Sequence, residues 1–355
     1  MKEKSNSKSL VYKKTPWNNN ANTIWLASSI VLQRNIEKFK FPGKLEKDYK
    51  AQIIALISKK LLASDSIEAP TLTHAEHLSP LDKEWLVEHF LSNHNYIQAG
   101  SGDGFLFDAQ YEFLATLNLF DHLHLQLIDC KGELESTWNR LVKIETEIGK
   151  EINYAFHPNF GFLTSDPTHC GTALIASVFL QLPGLIHSDR INDLLKKNVD
   201  ESMTVTGLQG SPLEIFGDVL RIRNNYTLGL TEENIISSLR SVTTKLIVEE
   251  NSIRAKIKQE EPADMKDKVS RAYAVLVHSY QIEAVEALNA LSLLKFGLEL
   301  GWIKGTDQQK VNELFFNCRR AHLTAYYEQP IPQEVLSHKR AEMIHSSLKD
   351  VKLMI

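Results

Sequence analysis

A short polar run, Asp166-Pro167-Thr168-His169-Cys170, carries the residue types best suited to chemistry in this chain. It offers a carboxylate, an imidazole and a thiol close together, and a thiol beside a base can act as a nucleophile. Adjacent residues on a turn seldom point together, however, and no third residue is evident to orient the base. A second interpretation is that Asp166 caps the turn by accepting backbone hydrogen bonds. The capping interpretation is favoured.

The flanking sequence predicts how this run is held. Phe160-Gly161-Phe162 is typical of a strand end, the Pro167-Thr168 pair bends the chain, and Gly171-Thr172 is typical of a helix start that leads into an apolar run ending at Leu182-Pro183. A strand, a tight loop and a helix can aim backbone donors and one side chain into a cleft.

Two pairs of basic residues are further candidates. His122 and His124 are two apart in a predicted strand, so both would face one side and could ligate a metal. No third ligand is evident nearby, so we predict no metal site and favour solvent-facing histidines. Arg221 and Arg223 flank Ile222 and would share a strand face, either as a solvated surface or as a phosphate-binding pair.

The composition bounds the class of protein. A chain of 355 residues can bury a sizeable core and suggests about two domains. A net charge of -4 argues against strong nucleic-acid binding. The three cysteines are far apart with no CxxC pair, which indicates a reducing compartment without a zinc site or disulfide framework. No signal sequence or membrane-spanning run is visible, so we expect a cytoplasmic protein that binds no membrane.

Apolar periodicity predicts a mixed α+β fold. Helical spacing covers residues 45–63, 133–149 and 186–198, and another helix opens at Ser79-Pro80, with Ser79 as its N-cap. Strand patterns cover 105–108, 122–128, 205–210 and 219–222, and the chain beyond Thr231 is almost entirely helical in period. The predicted divisions are a flexible tail at 1–21, an N-terminal helical part at 22–75, a catalytic-type domain at 76–230 and a helical C-terminal module at 231–355.

The frame of residues 160–178 closely resembles the active-site loop of the ATP:guanido phosphotransferases, above all the bacterial protein arginine kinases of the McsB type. That family usually reads Gly-Tyr-Leu-Thr-x-Cys-Pro-Thr-Asn-x-Gly-Thr-Gly-Leu-Arg-Ala-Ser-Val there. Matching frame residues continue from about Ile24 to Leu348, including Leu86-Val87-Glu88, Leu182-Pro183-Gly184 and Asn224-Asn225. The resemblance implies a small helical domain on an antiparallel sheet flanked by helices, with a helical C-terminal extension.

The family's chemistry, transfer of a phosphoryl group from ATP to a guanidinium, needs cations around the nucleotide phosphates. The resemblance implies that arginines supply them, and all the matching positions are substituted. These nucleotide-binding positions are Ser29, Val31, Leu114, Ile175 and Thr206. Losing every clamp residue at once should abolish phosphoryl transfer.

The acceptor side is altered as well. The resemblance aligns the family's Asn-Glu-Glu-Asp loop with 108–111, which puts Gln110 at a carboxylate position. Glu214 matches a retained family carboxylate, and Asp166 replaces the loop cysteine, where it could hold a guanidinium. The phosphoarginine-sensing pattern Arg-Asp-x-x-Arg-Ala aligns with 336–341 and keeps only Arg340 and Ala341.

These substitutions lead to three hypotheses about function. The preferred one is a degenerate protein arginine kinase, a pseudokinase that binds no cofactor and acts as a regulatory or binding partner. The resemblance implies an McsA-like zinc-binding protein or a stress-protease component as its partner, and a homodimer through the C-terminal helices. The rival is an active kinase that uses Mg-ATP with relocated residues such as Arg221, Arg223 and Glu214. The third is a reader of phosphoarginine or arginine peptides, in which Arg340 would take part.

Overall fold

A computed structural model describes residues 15–19, 23–92, 96–212 and 214–355. Its centre is an antiparallel sheet with the strand order β2-β3-β4-β5-β1-β8-β10-β9. The strands of this sheet are β1 (Trp25–Arg34), β2 (Thr71–His74), β3 (Gly104–Phe107), β4 (Phe113–Leu117), β5 (Leu123–Asp129), β8 (Leu174–Gln181), β9 (Met203–Gly207) and β10 (Val219–Asn224). Two small ribbons pair β6 (Phe156–His157) with β7 (Gly161–Phe162), and β11 (Ile303–Lys304) with β12 (Lys352–Leu353).

Helices cover both faces of the sheet and form the C-terminal part. They are α1 (Lys47–Leu62), α2 (Pro80–His89), α3 (Leu134–Gly149), α4 (Pro183–His187), α5 (Ile191–Asn198), α6 (Glu232–Glu260), α7 (Ala263–His278), α8 (Ala284–Leu300), α9 (Gln308–Asn317), α10 (Arg320–Tyr326) and α11 (Leu336–Leu348). The predicted α+β class and its helical C-terminal region are confirmed. Among the described residues, none of the helices combines the length and apolarity that a bilayer crossing needs.

The predicted helix start at Gly171-Thr172 is wrong, because the apolar run that follows it is the central strand β8. Its residues are buried on both faces, and it lies between β1 and β10. A continuous apolar run has no alternation to separate a buried strand from a buried helix. The β-branched and aromatic members of the run, Ile175, Val178 and Phe179, favour the strand.

One face of the sheet packs against α1, α3 and α6. Alternate residues of β1 such as Ile30 and Leu32 enter this apolar layer, and Ser29 and Val31 face the other side. Helix α6 begins after Thr231, whose side chain accepts the Asn234 N–H as an N-cap, as predicted. Because α6 packs on the sheet, it belongs with the sheet rather than with the C-terminal module expected from 231.

The segment 22–75, expected to be a helical part, contains the single α-helix α1 within its described residues. Its strands β1 and β2 pair within the main sheet, so it shares the sheet's core. In the expected tail, Trp17 is buried, stacks on Phe316 at 4.6 Å and donates to Asn317. Trp17 is thus packed against α9, and residues 1–14, 20 and 21 of that predicted tail lie outside the described residues.

Helix α2 closes the other face of the sheet. Ser79 caps it by a reciprocal bond with Asp82, and Pro80 occupies the first turn, as predicted. Glu88 near its end binds the backbone N–H groups of Ala321 and His322 at the start of α10. Helix α2 therefore joins the sheet to the C-terminal helices. The predicted helix at 186–198 is interrupted at Asp189, whose φ of 54° breaks it into α4 and α5.

Candidate functional site

A cavity of about 70 Å³ lies between the sheet and the chain that follows α2, and we call it the central cavity. Its lining comes from the strands β1, β4, β5, β8 and β10, from the loop before β8 and from residues that follow α2. The lining residues are Ser29, Val31, Gln33, Leu91, Ser92, Tyr96, Leu114, Thr116, His124, Gln126, His169, Ile175, Arg221 and Arg223. Because strand side chains alternate, each strand contributes every second residue to this face.

The middle of the central cavity is neutral and hydrogen-bonded. The Gln126 amide donates to Ser29 Oγ at 2.8 Å and to the Phe90 carbonyl at 2.8 Å. Ser29 is 4% exposed and Gln126 is 6% exposed, so these bonds are shielded from water. The polar groups here satisfy one another, which buried polar groups must do to avoid a desolvation cost.

Four of the five substituted nucleotide positions meet in this cavity. Leu114 and Ile175 are buried and line it together with Ser29 and Val31. Thr206 lies on the edge strand β9, opposite Arg221, and is half-buried outside the lining. The family resemblance therefore identified four residues that line the same cavity. The side chains of these four residues carry no positive charge.

Positive charge enters the cavity from β10 instead. Arg221 is 7% exposed, and its Nε and Nη2 donate to Ser177 Oγ at 3.1 and 3.0 Å. Its guanidinium also lies 5.7 Å from the centre of the Phe179 ring. Burial and the neighbouring Arg223 lower the pKa of Arg221 to about 10. The prediction that Arg221 and Arg223 share one face of a strand is confirmed. At Arg221 this face is buried against the cavity.

The loop before β8 does not assemble a nucleophile. Asp166 accepts the Thr168 N–H at 2.9 Å and its hydroxyl at 2.7 Å, which is the turn-capping role, and these bonds lower the pKa of Asp166. His169 Nδ1 contacts Gln33 at 3.2 Å, whereas the Cys170 thiol lies 3.5 Å from the Thr164 hydroxyl. The imidazole and the thiol thus have different partners.

Two expected site residues lie outside the cavity. Gln110 donates to both carboxylate oxygens of Glu68 at 3.1 and 3.0 Å, in the turn between β3 and β4. Glu214 is exposed and does not line the cavity. The structure does not support the alignment of the family's carboxylate loop with 108–111, because Gln110 lies outside the cavity that contains the other site positions.

The turn between β4 and β5 is the site element that the sequence reasoning missed. Residues 118–124 read Asn-Leu-Phe-Asp-His-Leu-His, which shares Asn, Asp, His and Leu with the family's Asn-Glu-Glu-Asp-His-Leu-Arg. This register could have been found in the sequence, and it places His124 at the arginine position instead of Leu114, so the earlier assignment of Leu114 is withdrawn. His124 lines the central cavity, and its Nε2 lies 2.9 Å from Asp121. Two carboxylate positions of the motif are then Leu119 and Phe120.

Asp121 anchors this turn to the loop before β8. Burial would raise the pKa of its carboxyl, but hydrogen bonds from His124, the Asn35 amide and the Ser165 N–H lower it to about 2. His122 precedes β5 and is buried, with Nδ1 accepting from the Ile36 N–H. Solvent-facing histidines are therefore a wrong prediction, because both side chains are buried with partners. Across the described parts of the chain, no three His, Cys, Asp or Glu side chains are grouped to hold a metal ion.

The central cavity adjoins a larger open pocket of about 790 Å³, which we call the outer pocket. Gln33, His124 and His169 line both spaces. Lys40 and Lys44 lie on its wall, as does Asp166, the residue that caps the turn. A solute can thus approach the central cavity along a wall that carries two lysines.

Arg340 lies far from this site, in the C-terminal helices. It is 1% exposed, and its guanidinium donates to the backbone carbonyls of Cys318 and Ile282, each at 2.7 Å. Both contacts tie α11 to neighbouring segments. The side chain that was expected to read phosphoarginine is thus occupied by structural bonds.

Two family models match adjoining parts of the chain. Residues 52–253 match the ATP:guanido phosphotransferase C-terminal catalytic domain, and residues 262–354 match the protein-arginine kinase McsB C-terminal domain. The protein-arginine kinase of Chlamydia pneumoniae is 32% identical over 336 residues, which cover 93% of each chain. That of Bacillus cereus (strain ATCC 10987 / NRS 248) is 33% identical over 330 residues, or 92% of each chain.

Solved structures agree with the fold. A lombricine kinase superimposes with a TM-score of 0.57 at 20% identity, covering 72% of this chain and 74% of that one. The duplicated taurocyamine kinase of Schistosoma mansoni gives a TM-score of 0.55 at 27% identity and covers 68% of this chain. This chain spans about a third of that duplicated enzyme, 34% of its length. The fold is that of the guanido kinases, and by the span and identity of its relatives the chain belongs to the protein-arginine kinase family of ATP:guanido phosphotransferases.

Proposed function

We propose that this chain is a degenerate protein arginine kinase, a pseudokinase that keeps the family fold and acts by binding rather than by phosphoryl transfer. The observation that carries the proposal is the bond from Gln126 to Ser29 beside the buried Ile175. The clamp positions are filled by side chains that satisfy or pack against one another. Side chains at these positions offer no charge to the transferring phosphoryl group, and the cations that the cavity does contain, Arg221 and Arg223, lie on β10 instead.

The size of the central cavity supports the same conclusion. Ligand pockets for molecules of drug or cofactor size have volumes of about 300–1,000 Å³. The central cavity has about 70 Å³, and Leu91 and Tyr96 contribute to its closure. A nucleotide would have to displace the buried side chains of Leu91 and Tyr96 as well as replace the missing cations.

The decisive experiment is calorimetric titration of the chain with Mg-ATP and Mg-ADP. The protein-arginine kinase of Bacillus cereus, run in parallel, shows what the assay can detect. We expect no heat of binding from this chain at nucleotide concentrations that saturate the relative. Micromolar affinity would overturn the proposal.

The rival is an active kinase with relocated cations. The observation in its favour is that Arg221 and Arg223 line the cavity. Such an enzyme would need Mg-ATP and a carboxylate to relieve the guanidinium of its proton. Glu214 is exposed away from the cavity, and Asp121 is already bonded to His124. Incubation with ATP and an arginine-rich protein, followed by mass spectrometry for acid-labile phosphoarginine, separates the two hypotheses.

A reader of phosphoarginine is the third hypothesis, and the structural bonds of Arg340 count against it. Binding of a phosphoarginine peptide to a surface that excludes Arg340 would revive it. Titration of such a peptide against the unphosphorylated peptide provides the test.

Our proposals for the partner and for the cellular location rest on the family resemblance alone. We propose a cytoplasmic protein that binds an McsA-like zinc-binding protein or a stress-protease component, and that dimerises through its C-terminal helices. Light scattering on the purified chain measures the dimer, and co-elution with the zinc-binding protein measures the complex. A strictly monomeric chain that never co-elutes would remove both parts of this proposal.

A further inference from the structure

The side chain of Arg221 has a bonding group left over. Its Nε and Nη2 share one acceptor, Ser177 Oγ, while Nη1 is buried without a hydrogen-bond partner among the described residues. A guanidinium is always charged and carries five N–H donors. Leaving one of its nitrogens buried and unpaired is costly, so folded proteins rarely do so without a ligand or a function.

No carboxylate neutralises this end of the cavity. In the described parts of the chain, neither Arg221 nor Arg223 forms an ion pair. The acidic residues in and beside the loop before β8 have other partners. Asp121 is hydrogen-bonded to His124 and Asn35, and Asp166 is hydrogen-bonded to Thr168. The buried charge of Arg221 and the half-buried charge of Arg223 therefore share one strand face without a carboxylate counter-ion, and a buried charge without one is strongly unfavourable.

The remaining lining is neutral and does not compete for that charge. Ser29 and Gln126 are bonded to each other, and Val31 and Ile175 are apolar. The low polarity of these walls strengthens the attraction of Arg221 for an anion. The lowered pKa of Arg221, caused by burial and by Arg223, reports the same unfavourable field.

The volume limits which anion fits. A buried water needs about 10–15 Å³ of such space, so a cavity of about 70 Å³ takes a few waters or one small ion. Planar guanidinium groups bind phosphate oxygens through paired N–H donors. A tetrahedral oxyanion satisfies the open Arg221 nitrogen and neutralises Arg223 at once.

We propose that the central cavity is a binding site for one tetrahedral oxyanion of phosphate size, held by Arg221 Nη1 and by Arg223, with His169 at its entrance. The anion is either free inorganic phosphate or the terminal group of a small phosphomonoester. It enters from the outer pocket, whose wall carries Lys40 and Lys44 together with the hydrogen-bonded carboxylates of Asp121 and Asp166. The site does not depend on the pseudokinase proposal, because Arg221 and Arg223 are not among the family's clamp positions.

The first test is calorimetric titration of the full chain with inorganic phosphate in a phosphate-free and sulfate-free buffer, and with phenyl phosphate as the monoester. We expect one phosphate per chain and a melting temperature that rises with phosphate concentration. Binding of phosphate alone identifies a free-ion site, and binding of both identifies a site for a terminal phosphoryl group. The proposal is overturned if neither phosphate nor phenyl phosphate binds at concentrations up to about 10 mM, which would reveal a Kd of about 1 mM.

The second test uses variants that keep the aliphatic stem and remove the charge. Arg221→Met and Arg223→Met should each weaken phosphate affinity at least 10-fold, and Arg271→Met should leave it unchanged, since Arg271 lies on α7 and pairs with Asp267. Arg221→Met should also fold, with a melting temperature in phosphate-free buffer equal to or above that of the parent chain, because it removes an unpaired buried charge. If the phosphate-dependent stabilisation persists in both variants, the assignment is wrong.

The outcomes for this site and for the proposed function are distinguishable. Nucleotide binding or phosphoarginine formation would overturn the pseudokinase proposal and leave phosphate binding to be judged by its own titration. Phosphate binding lost in Arg221→Met, with no nucleotide binding, is the result expected from both proposals together.

Discussion

The amide of Gln126 on β5 donates to the hydroxyl of Ser29 on β1 across 2.8 Å, and the same nitrogen reaches the Phe90 carbonyl at the end of α2. The register places Gln126 opposite Val31, so its side chain crosses diagonally to Ser29. One amide thus joins the floor of the cavity to its cover. A neutral hydrogen bond involves Ser29, a position at which the family resemblance predicts a nucleotide-binding arginine.

Removing this amide should loosen the cover of the cavity. Gln126→Ala leaves the Ser29 hydroxyl and the Phe90 carbonyl without their shared donor, which costs about 1–3 kcal/mol in the free energy of unfolding. Urea denaturation measures the loss, and Gln259→Ala on the exposed end of α6 provides a control expected within about 0.5 kcal/mol of the parent. Equal stability of the two variants would show that the bond contributes nothing.

Restoring the family's arginines should not restore a kinase. In Ser29→Arg plus Val31→Arg, two guanidinium groups would enter a closed space that already contains Arg221. An uncompensated buried charge costs about 3–5 kcal/mol, so we expect a marked fall in the free energy of unfolding and no Mg-ATP binding by calorimetry. Val248→Arg, at a residue that is 61% exposed, is the matched control and should leave stability nearly unchanged.

A stable double variant that binds Mg-ATP would contradict this expectation. It would mean that the chain after α2 opens readily and that only the charges were lost. The proposed pseudokinase would then be two substitutions away from nucleotide binding.

The sequence predicted most of the helices, four of the eight described strands of the main sheet and only part of the site. Helical periods and caps, such as Ser79 and Thr231, located the helices because capping is a local property. The run before Leu182 was misjudged, since a strand buried on both faces has no alternation. Pattern also could not show that α6 packs on the sheet, which depends on contacts far apart in sequence.

Among site residues, the alignment brought together Ser29, Val31 and Ile175, which the structure places in one cavity. It failed at Gln110, because the motif register was read from a neighbouring turn and the better match begins at Asn118. Burial was the other gap. Whether Arg221 faces solvent or a closed cavity depends on α2 and the chain after it, which no local pattern of β10 reports.

Arg340 should behave as a structural residue. Arg340→Met leaves the carbonyls of Cys318 and Ile282 without their donors, and hydrogen bonds from charged groups contribute about 1.5–3 kcal/mol each. We expect a loss of at least about 2 kcal/mol by urea denaturation, against little change for Lys349→Met, which is exposed at the end of α11. Because the variant is destabilised, its loss of peptide binding would not by itself identify a recognition residue. A stable Arg340→Met that binds phosphoarginine peptides less well would instead support the reader hypothesis.

The contact between α2 and α10 should make the fold sensitive to mild acid. His322 Nδ1 lies 2.8 Å from Glu88, His322 stacks on Trp85, and the ring is 4% exposed. Burial lowers the pKa of His322 to about 4, although the bond to Glu88 opposes that shift. Burial likewise holds the pKa of the adjacent His89 well below its usual range.

The sign of the pH effect follows from these lowered values. An unfolded histidine titrates near pH 6.5, so between about pH 6.5 and 4 the unfolded chain binds more protons than the folded one. The free energy of unfolding therefore falls as the pH falls through that window, with a slope of up to about 1.4 kcal/mol per pH unit for each such histidine. The pKa of Glu88 is lowered by the His322 bond and by Arg319 despite its burial, so its stabilising contribution is lost only below about pH 4.5.

Substitution of His322 should flatten this dependence. His322→Asn keeps a donor for Glu88 but cannot take up a proton, so urea denaturation at pH 7, 6 and 5 should give a shallower loss of stability than the parent chain shows. His77→Asn serves as the control, because that side chain is 67% exposed and lies outside the contact between α2 and α10. Parallel pH dependences for His322→Asn and the parent would assign the acid sensitivity to His89 or to other groups. A steeper dependence would mean that the charged imidazolium, paired with Glu88, is the form that stabilises this contact.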